Sequence, residues 1–263
     1  LGSSAELAVI PQSSRHGKEP PSDVAKAMQT SDLTASMCTK SLAHSRAGLE
    51  ASECGRRFLS LPAYSWQILE DPCIRVDYRS QQPKVQRVAD AFTTGASVQV
   101  RNDAGTSVSL SIDGRAGNAC PGFVDAEHLL GSPPDIEANV SPIENSAEGT
   151  AVIDGSVACP EVGLVSQPLK LEIFEGTIHT IHGDDKEIVR ILESQLGKTD
   201  SKRRVLAECG VGLNPRAQLT GHMLTDEGAL GSVHFGFGSN FTVGGRNRVD
   251  FHLDFVMRDA SVA

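Results

Sequence analysis

Residues 249–257 constrain this chain more than any other stretch. At a two-residue side-chain period, Val249, Phe251, Leu253, Phe255 and Met257 fall on one face of a strand and Asp250, His252 and Asp254 on the other. Such a strand needs an apolar core beneath it and a reason for the polar row above. His-x-Asp on a strand projects an imidazole and a carboxylate the same way, and that nitrogen–oxygen pair suits Zn, Mn, Co or Fe(II). A solvated strand face is the alternative reading. Residues 232–238 alternate in the same manner, with Val233, Phe235 and Phe237 inward and His234, Gly236 and Gly238 opposite. Glycines beside a histidine leave space for a ligand or ion to approach the backbone.

The first third of the chain alternates short strand and helix patterns. Strands are expected at Glu6–Ile10, Leu33–Cys38 and Phe58–Leu61, and helices at Asp23–Met28 (started by Ser22), His44–Cys54 and Val85–Phe92. From Ser97 the texture changes to hairpins, Ser97–Arg101 with Ser107–Ile112 and Lys170–Phe174 with Thr177–Ile181, interrupted by a helix at Asp185–Leu196. The expected fold is α/β, with a small parallel α/β N-terminal domain over residues 1–94 and a larger α+β domain bearing the site over 95–263. His179 and His182, three apart on a strand, point to opposite sides and read as surface residues.

A net charge of -9 argues against nucleic acid and anionic membrane surfaces as partners, because either would be repelled at long range. Peptides and small molecules remain as substrates, and a homodimer is compatible with this organisation. Six cysteines without a C-x-x-C pair imply neither a zinc knuckle nor a disulfide scaffold, and they read as reduced thiols of a cytoplasmic protein. No apolar run reaches the roughly 20 residues of a spanning helix, and no leader pattern opens the chain. The first residue is Leu1, so an N-terminal piece is expected to be missing. No G-x-S-x-G occurs, and nucleophilic catalysis has no specific support. The glycine-rich run 243–248 has amides and guanidinium groups, Arg246 among them, able to cradle a carboxylate or phosphate, although a plain turn before the last strand is the simpler reading.

Four blocks in order carry a family resemblance: Glu137–Pro142 with Glu148–Gly155, Leu206–Pro215, Leu230–Phe235, and His252–Phe255. Together they resemble the catalytic half of the thermophilic metallo-aminopeptidases, the aminopeptidase T and S group and its leucyl aminopeptidase-like relatives, a family that also includes ring-opening dioxygenases of dihydroxypyridines. The resemblance implies metal ligands at Glu137, Glu208, His234, His252 and Asp254. It implies one or two divalent ions, Zn, Co or Mn for a two-ion hydrolase and a single Fe(II) for a dioxygenase. Glu144 and Glu227 are the candidates for general base, and His44 and Arg46, alternatively plain helix-surface residues, for meeting a substrate carboxylate. The sequence departs from the aminopeptidase pattern at Phe241, where that group carries a tyrosine, and at Ala229, where it carries a carboxylate, and its first strand–helix unit is expected to be missing. The leading expectation is a metal-dependent, aminopeptidase-like protein; a silent peptide-binding module, for instance in peptide natural-product biosynthesis, and an Fe(II) ring-opening dioxygenase are the alternatives.

Overall fold

The computed structural model describes residues 4–13, 16–43 and 45–263. Its helices are α1 (Ser22–Thr30), α2 (Arg46–Glu53), α3 (Trp66–Glu70), α4 (Tyr78–Thr94), α5 (Lys186–Leu196) and α6 (Met223–Asp226). Its strands are β1 (Leu33–Ser36), β2 (Arg57–Ser60), β3 (Ser97–Arg101), β4 (Ser107–Ser111), β5 (Gly117–Cys120), β6 (Leu130–Gly131), β7 (Glu137–Val140), β8 (Glu148–Ile153), β9 (Ser156–Val157), β10 (Gly163–Leu164), β11 (Leu169–Phe174), β12 (Thr177–His182), β13 (Leu206–Gly212), β14 (Val233–Gly238), β15 (His252–Met257) and β16 (Ser261–Val262). The chain forms two compact units, one of residues 1–66 with 124–131 and one of residues 67–123 with 132–263.

The first unit carries a parallel sheet in the order β1-β2-β6 and a small core of Met28, Leu42, Ala47, Ala51 and Phe58. This is the parallel α/β arrangement expected from the strand–helix alternation. Two local expectations fail there. Residues 6–10 form no strand, and Leu7 and Val9 lie exposed, because no backbone ladder joins the segment and β propensity without a partner strand yields no strand. Ser22 is the first residue of α1 rather than its cap; Pro21 precedes the helix and no side chain caps it.

The second unit is built of antiparallel strands. A seven-stranded sheet runs β10-β9-β15-β14-β13-β7-β5 and a six-stranded sheet runs β12-β11-β8-β4-β3-β16. Both expected hairpins form, β3 with β4 and β11 with β12. Opposite Glu172 and Ile173 the register skips His179, and this bulge breaks the two-residue period of β12, so Ile178 and Ile181 are both buried while His179 and His182 are both exposed. Valines and leucines of the six-stranded sheet share one core with Val140, Cys209, Phe235, Phe237 and Phe255 of the seven-stranded sheet. Helix α4 joins that core through Val85, Ala89 and Phe92, which places residues 67–94 with the second unit and moves the division from the expected residue 94 to after Trp66. It starts earlier than its apolar period suggests because Asp77 caps it by accepting from the Ser80 amide, and it accommodates Pro83 inside.

The aromatic pair Phe237–Phe255 lies edge to face with ring centroids 5.5 Å apart at the centre of this core. Phe255→Ala removes one ring from a fully buried site, and a loss of about 3–5 kcal/mol is expected in urea denaturation. A loss below about 1 kcal/mol would show that the core does not depend on this pair.

Candidate metal centre

The face of the seven-stranded sheet away from the core is a polar floor assembled by register. Opposed residues in an antiparallel pair point to the same side. Asn118 on β5 stands opposite Asn139 on β7, which stands opposite Gly210 on β13 and then His234 on β14. A second row runs Cys120, Glu137, Gly212, and a third runs Glu208, Gly236, Asp254, with Gly238 opposite His252 beside it. Val140, Cys209, Phe235, Phe255 and Val157 form the intervening row that enters the core.

Glu208 reaches this floor only through an irregularity. Leu206 opposes Phe237 in the core, and regular alternation would send Glu208 the same way; a register shift between Leu206 and Glu208 turns the carboxylate to the opposite face, level with Gly236. The glycines then supply space. A Cβ at Gly210 would fall 2.1 Å from His234 Nε2, and one at Gly236 would fall 2.6 Å from His252 Nε2 and 2.7 Å from Asp254 Oδ1. The ligand-type side chains occupy volume that any other residue at these positions would claim.

All five side chains expected as ligands come together. His234 Nε2 lies 3.1 Å from Glu137 Oε2 and 3.8 Å from Glu208 Oε1, and His252 Nε2 lies 3.4 Å from Glu208 Oε2 and 3.1 Å from Asp254 Oδ1. They form two groups of potential ligands, Glu137–Glu208–His234 and Glu208–His252–Asp254, joined at Glu208. His252 Nδ1 donates to the Ser239 carbonyl at 2.9 Å, which aims Nε2 at the cluster. Residues 249–251 lie outside β15, and the polar row of that strand is not a solvated face, since Asp254 is buried.

Two further carboxyl groups sit here, Glu227 just after α6 and Asp135 just before β7, both buried, each with one oxygen (Oε1 and Oδ1) lacking a hydrogen-bond partner among the described residues. Burial, then the charge of Asp254, pushes Glu227 well above the usual carboxylate range, and burial, then Glu137, does the same to Asp135. Burial opposes ionisation of Glu208 and Asp254 too, but hydrogen bonds and charge from His234 and His252 hold both low. Burial likewise disfavours the imidazolium forms, yet Glu137 holds the His234 pKa high and Asp254 that of His252. The site therefore gathers five carboxyl groups against two imidazoles. Glu137 Oε2 is buried with only the His234 ring nitrogen beside it among the described residues, and the donor set is hard oxygen and imidazole nitrogen, so these residues fit a divalent cation.

The remaining expected residues have other surroundings. Glu144 accepts from Asn240 Nδ2 at 3.0 Å, the Arg246 amide at 2.6 Å and an Arg115 guanidinium nitrogen at 2.8 Å. Its oxygens thus anchor the β14–β15 connection, at the position where a general base was expected. The glycine-rich run does bind a carboxylate, that of Glu144 itself. The Arg246 side chain is exposed, and Arg248 stacks over Phe241 at 3.4 Å from the ring centroid. Arg46 opens α2 in the first unit and pairs with Glu50; His44 lies outside the described residues. Asp135, Asn139 and Asn118 are not among the residues expected from the sequence. Asp135 and Asn139 flank Glu137 at the spacing that faces one side of a strand, the one signal that points to them.

Addition of Mn(II) is expected to raise the melting temperature in proportion to the logarithm of its concentration above Kd. Gly210→Ala, whose methyl competes with the His234 ring, should abolish that rise. A full Mn(II)-dependent shift in the alanine variant would mean that His234 does not take part.

Residues 4–263 match the family described as NicX: 2,5-dihydroxypyridine 5,6-dioxygenase. A 2,5-dihydroxypyridine 5,6-dioxygenase of Pseudomonas putida is 33% identical over 132 residues, which span 46% of this chain and only 37% of that protein. The solved structure of the 2,5-dihydroxypyridine dioxygenase from Pseudomonas putida KT2440 superposes with a TM-score of 0.76 at 24% identity, covering 92% of this chain and 70% of that one. AmpT from Thermus thermophilus superposes with a TM-score of 0.64 at 13% identity, covering 91% and 74%. The aminopeptidase resemblance thus survives as a shared fold, while the family name is the one that stood as an alternative. With a match that runs across nearly its whole length, the chain belongs to the 2,5-dihydroxypyridine 5,6-dioxygenase family.

Proposed function

We propose that this chain is an Fe(II)-dependent ring-opening dioxygenase for dihydroxylated nitrogen heteroaromatics of the 2,5-dihydroxypyridine class. The family match over residues 4–263 is the observation that carries this reading. The donor chemistry supports it: imidazole and carboxylate ligands are those of non-haem iron oxygenases, and each of the two groups that share Glu208 combines one imidazole with two carboxylates. Iron bound there would supply open positions for dioxygen and for a ring oxygen of the substrate. The protein's own contribution is positional. Gly210 and Gly236 give the His234, His252 and Asp254 side chains the space in which they converge. Glu227 is the group fitted to carry a proton, since burial and the nearby Asp254 charge raise its pKa well above the usual carboxylate range and its buried Oε1 has no hydrogen-bond partner among the described residues.

A second reading has a specific observation behind it. Two ligand groups sharing Glu208 match the layout of a two-ion site, in which a bridging carboxylate holds both cations for hydrolysis of a peptide. Protein loaded anaerobically with Fe(II) and given 2,5-dihydroxypyridine is expected to consume about one O2 per ring lost, followed by oxygen electrode and ring absorbance. Glu227→Gln should lower that turnover by about 100-fold or more with iron content unchanged. Two Zn, Co or Mn ions per chain with amino-acid release from peptides, and no oxygen uptake, would instead establish the hydrolase.

A further inference from the structure

We infer that Asn139 and Asn118 form a series-linked positioning relay that fixes which oxygen of Glu137 faces the cation, and that ties this oxygen to the loop between β14 and β15. The inference rests on the metal-binding reading of the site and names residues that set its affinity.

Asn139 Nδ2 donates to Glu137 Oε1 at 2.7 Å, so Oε1 is occupied and Oε2 is the oxygen presented to His234 Nε2 at 3.1 Å. An amide can be turned over, and a turned Asn139 would set its carbonyl oxygen against the carboxylate. Asn118 prevents this: its Nδ2 donates to Asn139 Oδ1 at 2.8 Å, which forces the nitrogen of Asn139 toward Glu137. The orientation of Asn118 is set in turn by its other contact, Nδ2 to the Val243 carbonyl at 3.3 Å. Each amide therefore has one workable orientation: Asn118 donates both to the loop carbonyl and to Asn139, and Asn139 donates to the carboxylate. The strand register builds the relay, because Asn118 and Asn139 are opposed residues on adjacent strands and Asn139 lies on the same side of β7 as Glu137. Asn139 is almost fully buried, so water cannot replace its amide without entering the floor.

The far end of the relay is itself held firmly. Val243 lies in the connection whose Asn240, Gly244 and Arg246 are bound by Glu144 and Arg115. His252, the ligand-type residue after this connection, takes its orientation from the Ser239 carbonyl at the start of it. One loop thus orients side chains in both ligand groups, Glu137 through two asparagines and His252 directly.

The relay predicts affinities that activity alone would not reveal. Mn(II) affinity measured by titration calorimetry should weaken about 10–100-fold in Asn139→Ala, as loss of an outer partner of a ligand typically does. It should weaken by less in Asn118→Ala, and the double variant should be no worse than Asn139→Ala alone, because the two act in series. The visible absorption of the Co(II)-loaded protein should change in Asn139→Ala, a signature that a merely structural role would not move, while the metal-free melting temperature stays within a few degrees. Asn139→Asp, which sets a second carboxylate against Glu137, should weaken binding further than alanine does. Wild-type Mn(II) affinity and Co(II) spectrum in Asn139→Ala, or additive losses in the double variant, would overturn the relay. Failure of the wild-type protein to take up Mn(II), Co(II) or Fe(II) at all would overturn the metal reading of the site and the relay with it.

Discussion

Five carboxyl groups packed around two imidazoles on one buried sheet face are the constraint that organises the second unit. Removing even one ion from water costs several kcal/mol, and among the described residues no lysine or arginine forms an ion pair with Asp135, Glu137, Glu208, Glu227 or Asp254. The cluster can persist only if its charge is met by protons or by a cation. Without a cation it settles by separation: Glu227 and Asp135 are pushed toward the protonated form, and His234 and His252 toward the imidazolium form. A divalent ion would displace protons from the imidazoles and meet the carboxylates directly, so metal uptake is coupled to proton release.

What makes room for this cluster is the absence of side chains. Gly210 and Gly236 sit level with His234 and Asp254 on neighbouring strands, and a methyl group at either position would overlap the ligand atoms. Gly228 performs a similar role at the edge, where a Cβ would fall 2.6 Å from Asp135 Oδ1. Glycine in strands usually weakens a sheet, and here the cost is offset by a two-sheet core whose phenylalanines fill the opposite face. One sheet therefore separates two environments within the thickness of a strand.

The family match and the shared fold do not by themselves fix one chemistry. The chain belongs to a dioxygenase family and shares its fold with AmpT, while the ligand-type residues form two groups with a shared glutamate. A common scaffold of this kind fixes side-chain positions without fixing the reaction, which depends on the ion it holds and on the groups around it. Phe241 illustrates the point: it is partly exposed beneath Arg248, so this chain offers no phenolic donor where the aminopeptidase pattern carries one.

Much of the centre was legible in the sequence. Alternation in residues 232–238 and 252–257 placed His234, His252 and Asp254 on one side of their strands, and block order added Glu137 and Glu208. Strand period is local information, set by the pleat, and it survives folding wherever the ladder is regular. It misled where the ladder was not: the bulge before Glu208 and the one at His179 on β12 reverse the facing of the residues beyond them, and a bulge is fixed by the partner strand. The role of Glu144 was equally out of reach, since its partners Arg115, Asn240 and Arg246 lie 29 to 102 residues away. The sequence by itself determined the faces of β14 and β15 and the residue types gathered on them, because both depend on residue type and a two-residue repeat. Only the tertiary structure decided that Glu208 reaches the floor through a register shift, that Asn139 and Asn118 stand in line behind Glu137, and that Glu144 serves as an anchor, because each depends on strands and loops that the chain brings together from far apart.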